Sequence, residues 1–106
     1  MGTKYKVILS NAADNDLNEI FSYIAETRNS EEPAKNLMLE IHKMILSLDE
    51  MPQRFSFSLD VSLAQKGYRR VLVKKKYVIL YLTDEENRIV NIARVVHGST
   101  DYARYV

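Results

Sequence analysis

No cysteine occurs anywhere in the chain, which removes disulfide bonds and thiolate metal ligation together. The two imidazoles, His42 and His97, lie too far apart in sequence to form a local metal motif, so neither a metal nor another cofactor is expected. Glycine is scarce as well: Gly2, Gly67 and Gly98 are the only three, and no glycine-rich loop exists to cradle a phosphate. No uncharged run approaches the roughly 20 residues that cross a bilayer. Lys4 and Lys6 interrupt what would be the apolar part of a leader. A cytoplasmic protein without membrane contact is expected.

Acidic residues are missing from one long stretch. Between Val61 and Thr83 there is none, yet Lys66, Arg69, Arg70, Lys74, Lys75 and Lys76 all fall there. Residues 1–60 hold six Lys or Arg against ten Asp or Glu, while residues 61–106 hold nine against four. The formal net charge of +1 therefore hides two halves of opposite sign. Two readings of the lysine run stand side by side, a sheet edge guarded by charge and a surface for phosphate or an acidic partner.

What is present is an ordinary globular composition, 46% apolar and 27% charged, in a chain of 106 residues that suits one domain with one core. Lys4 to Leu9 alternates as a first strand does. Ser10 then suits the N-cap of a helix starting at Asn11, with Asp14 and Asp16 near its positive end and Ala13, Leu17, Ile20, Phe21 and Ile24 at helical spacing. That helix is expected to end near Thr27. Ser30, Glu31, Glu32 and Pro33 repeat the starting signal, and Ala34, Leu37, Met38, Ile41, Met44, Ile45 and Leu48 trace one stripe of a second helix, antiparallel to the first. Met51-Pro52 closes it.

Phe55, Phe57, Leu59, Val61 and Leu63 alternate strictly with polar residues, a strand pattern. After Gly67 come three strands with short links, Tyr68 to Val73, Tyr77 to Thr83 and Arg88 to Val96, which must pair antiparallel. Tyr77, Ile79 and Tyr81 face one way and Val78, Leu80 and Leu82 the other, so this strand is central. The expected fold is α+β, a β-α-α-β-β-β order in which a helical hairpin covers one face of a mainly antiparallel sheet. Its other face is expected to be partly open or covered by a partner.

The run Leu9, Ser10, Ala12, Ala13, Asp16, Leu17, Ile20, Tyr23 and Ile24, then Ala34, Leu48 and Pro52, then Gly67-Tyr68-Arg69, Tyr77-Val78-Ile79-Leu80-Tyr81 and Arg94-Val95-Val96-His97-Gly98 with Asp101, resembles the RelE/ParE superfamily. The resemblance spans nearly the whole chain, residues 1–106, as a single domain. It implies a toxin of a type II toxin-antitoxin, plasmid-stabilisation module. The long helices and R-V-V-H-G look more like the ParE branch, which inhibits DNA gyrase, than the RelE branch, which cuts messenger RNA on the ribosome. The partners so implied are a cognate antitoxin with an acidic or amphipathic segment, gyrase or ribosome and messenger as target, and operator DNA only through the antitoxin.

RNA cleavage through the 2′-hydroxyl needs a base, an acid and cations around one phosphate. The candidates for a metal-independent endoribonuclease are His97, Arg69 and Arg94. Arg70, Lys74, Lys75, Lys76, Tyr77 and Tyr102 are candidates for contacting nucleic acid or another target. Against this, Ser99-Thr100 stands where many ribosome-cutting relatives place arginine. Structural roles compete for each residue: His97 fixing the exit of the tail through a backbone carbonyl, Arg94 pairing with a helix carboxylate, Arg69 bracing Asp101, and Tyr77 packing. An inactive relative that only binds its antitoxin as co-repressor is the third reading. His42 is expected to be an ordinary surface residue.

Overall fold

The computed structural model describes residues 4–27 and 32–100, so Ser30, Asp101 and Tyr102 lie outside the described residues. The chain runs β1 (Lys6–Leu9), α1 (Asn11–Thr27), α2 (Glu32–Ser47), a 3-10 turn (Pro52–Arg54), α3 (Val61–Gln65), β2 (Arg69–Val73), β3 (Tyr77–Asp84) and β4 (Ile89–His97). The sheet order is β1-β4-β3-β2. The β2-β3 and β3-β4 pairs are antiparallel, as their short links require, and β1 joins β4 in parallel after the helical crossover. The fold is α+β, as the sequence indicates.

Helices α1 and α2 cover one face of the sheet. Ala13, Leu17, Ile24, Leu37, Ile41, Ile45 and Leu48 meet Val71, Val73, Tyr77, Ile79, Tyr81, Val90, Ile92 and Val95 in one buried cluster. Ser10 starts α1 as its position suggests, its Oγ accepting from the Ala13 amide at 3.0 Å. The same hydroxyl donates to the Ala93 carbonyl at 2.8 Å, which ties the helix start to β4. At the far end of α2, Arg54 folds back so that Nη1 donates to the carbonyls of Ser47, Glu50 and Met51, supplying donors the helix end lacks.

Residues 55–63 are not the regular strand that their alternation suggests. Phe57 makes one isolated bridge with Arg69, and the chain then winds into α3. Local polar chemistry overrides the period: the Ser58 hydroxyl accepts the Asp60 amide, and Asp60 Oδ1 accepts the Leu63 amide at 3.0 Å as an N-cap. This helix lies over the second face of the sheet, where Leu63, 1% exposed, packs with Val78, Leu80 and Tyr68. The second face is expected to be partly open, and it is, but the chain's own α3 covers part of it, which the sequence does not reveal. What remains exposed there is Leu72, with Phe57, Leu59 and Val61 on the covering segment.

The edge of β4 is completed by a helix side chain. β1 spans four residues and reaches only Ile92, whereas β4 continues to His97. The register of β3 jumps at this point, Leu80 facing Arg94 and Tyr81 facing Ile92, which leaves Ala93 as the extra residue of a bulge. The inward set of β4 therefore reads Val90, Ile92, Val95 rather than passing through Arg94. Asp16 of α1 stands where β1 has ended: its Oδ2 accepts the Val95 amide at 3.0 Å, and its two oxygens receive Arg94 Nε and Nη2, each at 2.8 Å. This is the helix carboxylate pairing foreseen as one role for Arg94.

Tyr81 is the other buried polar anchor. Its hydroxyl donates to the Pro52 carbonyl at 2.6 Å. Burial pushes its phenol above the usual 10.0, with the nearby Arg69 and Arg54 guanidinium groups pulling the other way. A folded value above the unfolded one means that this contribution is complete below about pH 10 and is lost as pH rises through the folded value. Stability is expected to fall above pH 10 more steeply in the native chain than in Tyr81→Phe, and the variant is expected to lose about 1 kcal/mol at neutral pH. Urea unfolding between pH 7 and 11 measures both. For Asp16→Ala, which removes the acceptor of three hydrogen bonds, a loss of about 2–4 kcal/mol is expected by the same method at pH 7.

Candidate functional site

At the end of the sheet four residues beyond the Ala93 bulge, one row of paired residues runs Val73, Tyr77, His97 across β2, β3 and β4. The β2-β3 turn, Lys74 to Lys76, is fastened to this row by the Gly98 amide, which donates to the Lys76 carbonyl at 2.7 Å. Lys74, Lys76, Tyr77 and His97 are thereby gathered in one place. Lys74 and Lys75 occupy the left-handed region with φ of 55° and 58°. That is the backbone of a tight hairpin turn that asparagine and glycine adopt at lower cost.

His97 is held by a local turn. Its Nδ1 lies 2.8 Å from the Ser99 hydroxyl and accepts the Ser99 amide at 3.1 Å. A backbone N–H pointing at Nδ1 requires a lone pair there, so the neutral ring carries its proton on Nε2. The group that fixes the tail's exit is thus an amide donor, not the carbonyl expected. Tyr77 meets the ring edge-to-face, with centroids 5.4 Å apart and planes at 79°.

Two cavities flank this pair. The larger, about 620 Å³, is lined by Asp16, Glu19, Ile20 and Tyr23 of α1, by Tyr77, and by the chain from Arg94 through His97 to Thr100. The second, about 550 Å³, lies among Tyr23, Ile24, Asn36, Leu37, Lys74, Lys76, Tyr77 and His97. Tyr23, Tyr77 and His97 are common to both, so the two cavities adjoin along a groove region between the helices and the sheet end.

The arginines lie elsewhere or are engaged. Arg69 Nη1 donates to the carbonyls of Phe55 at 2.6 Å and Gln53 at 3.3 Å, and its guanidinium stacks 4.0 Å from the Phe57 ring centroid. It braces the segment leading to α3; the brace to Asp101 foreseen for it falls outside the described residues. Arg69 pairs with Tyr81, four residues along β3 from Tyr77, the partner of His97. That separates Arg69 from His97 by about 13 Å along the sheet and about 10 Å across it. Arg94 lines the larger cavity but is bound to Asp16. Arg70 points to the other face, beside Leu80, with Nε buried and without a hydrogen-bond partner. Lys75 lines neither cavity. Among the described residues, no group of three potential metal ligands exists, and no helix is long and apolar enough to cross a membrane.

Sequence reasoning brings Lys74, Lys76, Tyr77 and His97 to one site but misses Tyr23, Asn36 and Ser99. Tyr23 carried a usable signal, an aromatic off the buried stripe of α1; it is 66% exposed. Nothing in the sequence marks Asn36, and Ser99 stands out only as lying where relatives place arginine, not as the partner of His97.

An open four-stranded sheet with two helices on one face is the fold that this chain shares with several solved toxin structures. The model of the family described as the ParE toxin of the type II toxin-antitoxin system parDE matches residues 7–102. The chain belongs to this ParE toxin family and is the toxin of a type II toxin-antitoxin system. Similar solved structures include the chromosomal ParDE system of P. aeruginosa, with 14% identity and a TM-score of 0.73 over 90% of this chain and 97% of that one. The RelBE2 toxin-antitoxin complex of Mycobacterium tuberculosis aligns with 23% identity and a TM-score of 0.65, covering 92% and 95% of the two chains. A mutant of the E. coli toxin RelE in the free state aligns with 12% identity and a TM-score of 0.68, covering 96% and 92%. At these identities the structures show the common fold. No curated protein sequence matches significantly.

The strained turn yields a prediction. Lys74→Asn with Lys75→Gly is expected to raise stability by about 1 kcal/mol, since both residues adopt positive φ more readily. Thermal unfolding would register this as a rise of several degrees.

Proposed function

We propose that this toxin arrests growth, when free of its antitoxin, by docking on DNA gyrase rather than by cutting messenger RNA. The observation that carries this reading is the engagement of the arginines. Arg69 grips two backbone carbonyls well away from His97, and Arg94 is bound to Asp16, so the three do not converge on one phosphate. RNA cleavage needs its cations placed around a single phosphorane, and two lysines beside an imidazole, without an arginine free to join them, are a weaker set. A docking surface asks less: exposed cations and aromatic rings on a rigid frame, which Lys74, Lys76, Tyr23 and His97 supply. The match to the ParE family model points the same way.

The antitoxin is expected to carry an acidic or amphipathic segment that neutralises the lysine turn and contacts the helices. Tyr23, Leu39 and Leu46 are large, exposed and available on α1 and α2. Binding at the lysine turn would place negative charge against the half of the chain with net positive charge, while the helix residues offer apolar contact, and operator DNA would be reached only through the antitoxin. Such a toxin works in the cytoplasm, where its target is.

Two assays on one preparation separate the targets. Purified gyrase is expected to lose plasmid supercoiling as the toxin is added, while messenger stays intact in a reconstituted translation reaction. Lys74→Ala with Lys76→Ala is expected to weaken the inhibition at least tenfold. Unaffected supercoiling together with cleaved messenger would overturn the proposal, and absence of growth arrest on induction without the antitoxin would leave the co-repressor reading.

A further inference from the structure

The smaller cavity has a composition that protein docking does not require. Among its described lining residues there is no carboxylate, whereas Lys74, Lys76 and His97 all border it, and Asn36 adds an amide from α2. Neither lysine has an acidic partner among the described residues. His97 is held by Ser99 in the form whose Nε2 donates. Three nitrogen donors, two of them charged, therefore border a space with nothing of opposite sign among the described residues that line it. They are held there by the register of three strands, by the Gly98-Lys76 hydrogen bond, and by a turn that keeps Lys74 at a positive φ. Backbone strain retained beside a cavity is a mark of a working site.

The remaining walls are apolar and aromatic. Ile24 and Leu37 come from the helices, Tyr23 stands exposed at the rim, and Tyr77 and His97 set two ring planes at 79° to form a corner. A volume of about 550 Å³ falls within the range of small-molecule sites.

We propose that this cavity binds a nucleotide through its phosphomonoester, with the phosphate between Lys74, Lys76 and His97 Nε2 and the base against Tyr23 and Tyr77. A phosphomonoester carries nearly two negative charges at neutral pH, which suits two ammonium groups and an imidazole N–H donor better than a single carboxylate does. An aromatic base uses ring faces that an acidic side chain would leave idle. The site does not depend on which macromolecule the toxin attacks.

Adenosine 5′-monophosphate, adenosine, inorganic phosphate and a glutamate-rich decapeptide are titrated into the purified toxin, following binding by calorimetry and the His97 ring by NMR. The monophosphate is expected to bind with a Kd below about 1 mM and to move the His97 resonances. Adenosine and phosphate alone are each expected to bind at least tenfold more weakly. Lys74→Ala and Lys76→Ala, both at exposed positions, are each expected to weaken binding at least tenfold, with Lys43→Ala on α2 as an unaffected control. The proposal is overturned by no binding of the monophosphate, or by equal affinity for phosphate alone, which would mean a bare anion site. Equal affinity for adenosine, or tighter binding of the decapeptide with displacement of the nucleotide, would overturn it too. Gyrase inhibition is measured separately, so loss of either result leaves the other standing.

Discussion

The carboxylate of Asp16 is the point on which the arrangement of this toxin turns. β1 is too short to cover the edge of β4, and without a substitute the part of β4 beyond Ile92 would present unpaired backbone to the helix packed beside it. Asp16 takes the Val95 amide and holds Arg94 with two bonds, so one side chain joins α1 to the bulged strand. The pair is largely buried, at 9% and 21% side-chain exposure, where each partner needs the other to offset desolvation. Everything downstream on β4 follows from it: Val95 faces the core, and two residues on His97 reaches the groove.

The same contact shapes what the surface can do. Arg94 serves the fold, and Arg69, fixed across the carbonyls of Gln53 and Phe55, serves the segment that leads to α3. Cationic character at the groove is thereby left to lysines, which act as flexible point charges rather than as planar forks. Such charges suit an acidic partner or a phosphate more than they suit the close geometric control that catalysis on RNA demands. The chemistry of the groove is thus decided partly by residues that have been withdrawn from it.

Much of the architecture was legible because it rests on local periodicity. The helical stripes of α1 and α2, the two-faced pattern of Tyr77 to Leu82 and the short links that force antiparallel pairing each announce themselves within a few residues. The segment from Phe55 to Leu63 misleads because its alternation is real, but Ser58 and Asp60 offer the backbone hydrogen bonds that start a helix there instead. The bulge at Ala93 was invisible, since one extra residue leaves no compositional trace and its effect is a change of facing between Arg94 and Val95. Tyr23 and Asn36 could not be joined to Lys74 and His97 from the sequence, since α1, α2, the β2-β3 turn and the end of β4 bring them together.

By itself, the sequence determined the element order, the central strand, the family and the supply of cations, because each is written in spacing and residue type along the chain. Only the tertiary structure decided which cations are available. Arg94 and Arg69 are spent on a carboxylate and on carbonyls brought close by folding, whereas Lys74, Lys76 and His97 are gathered by strand register and one hydrogen bond from Gly98. Partners distant in sequence leave no local pattern, and it is those partners that separate a working cation from a structural one.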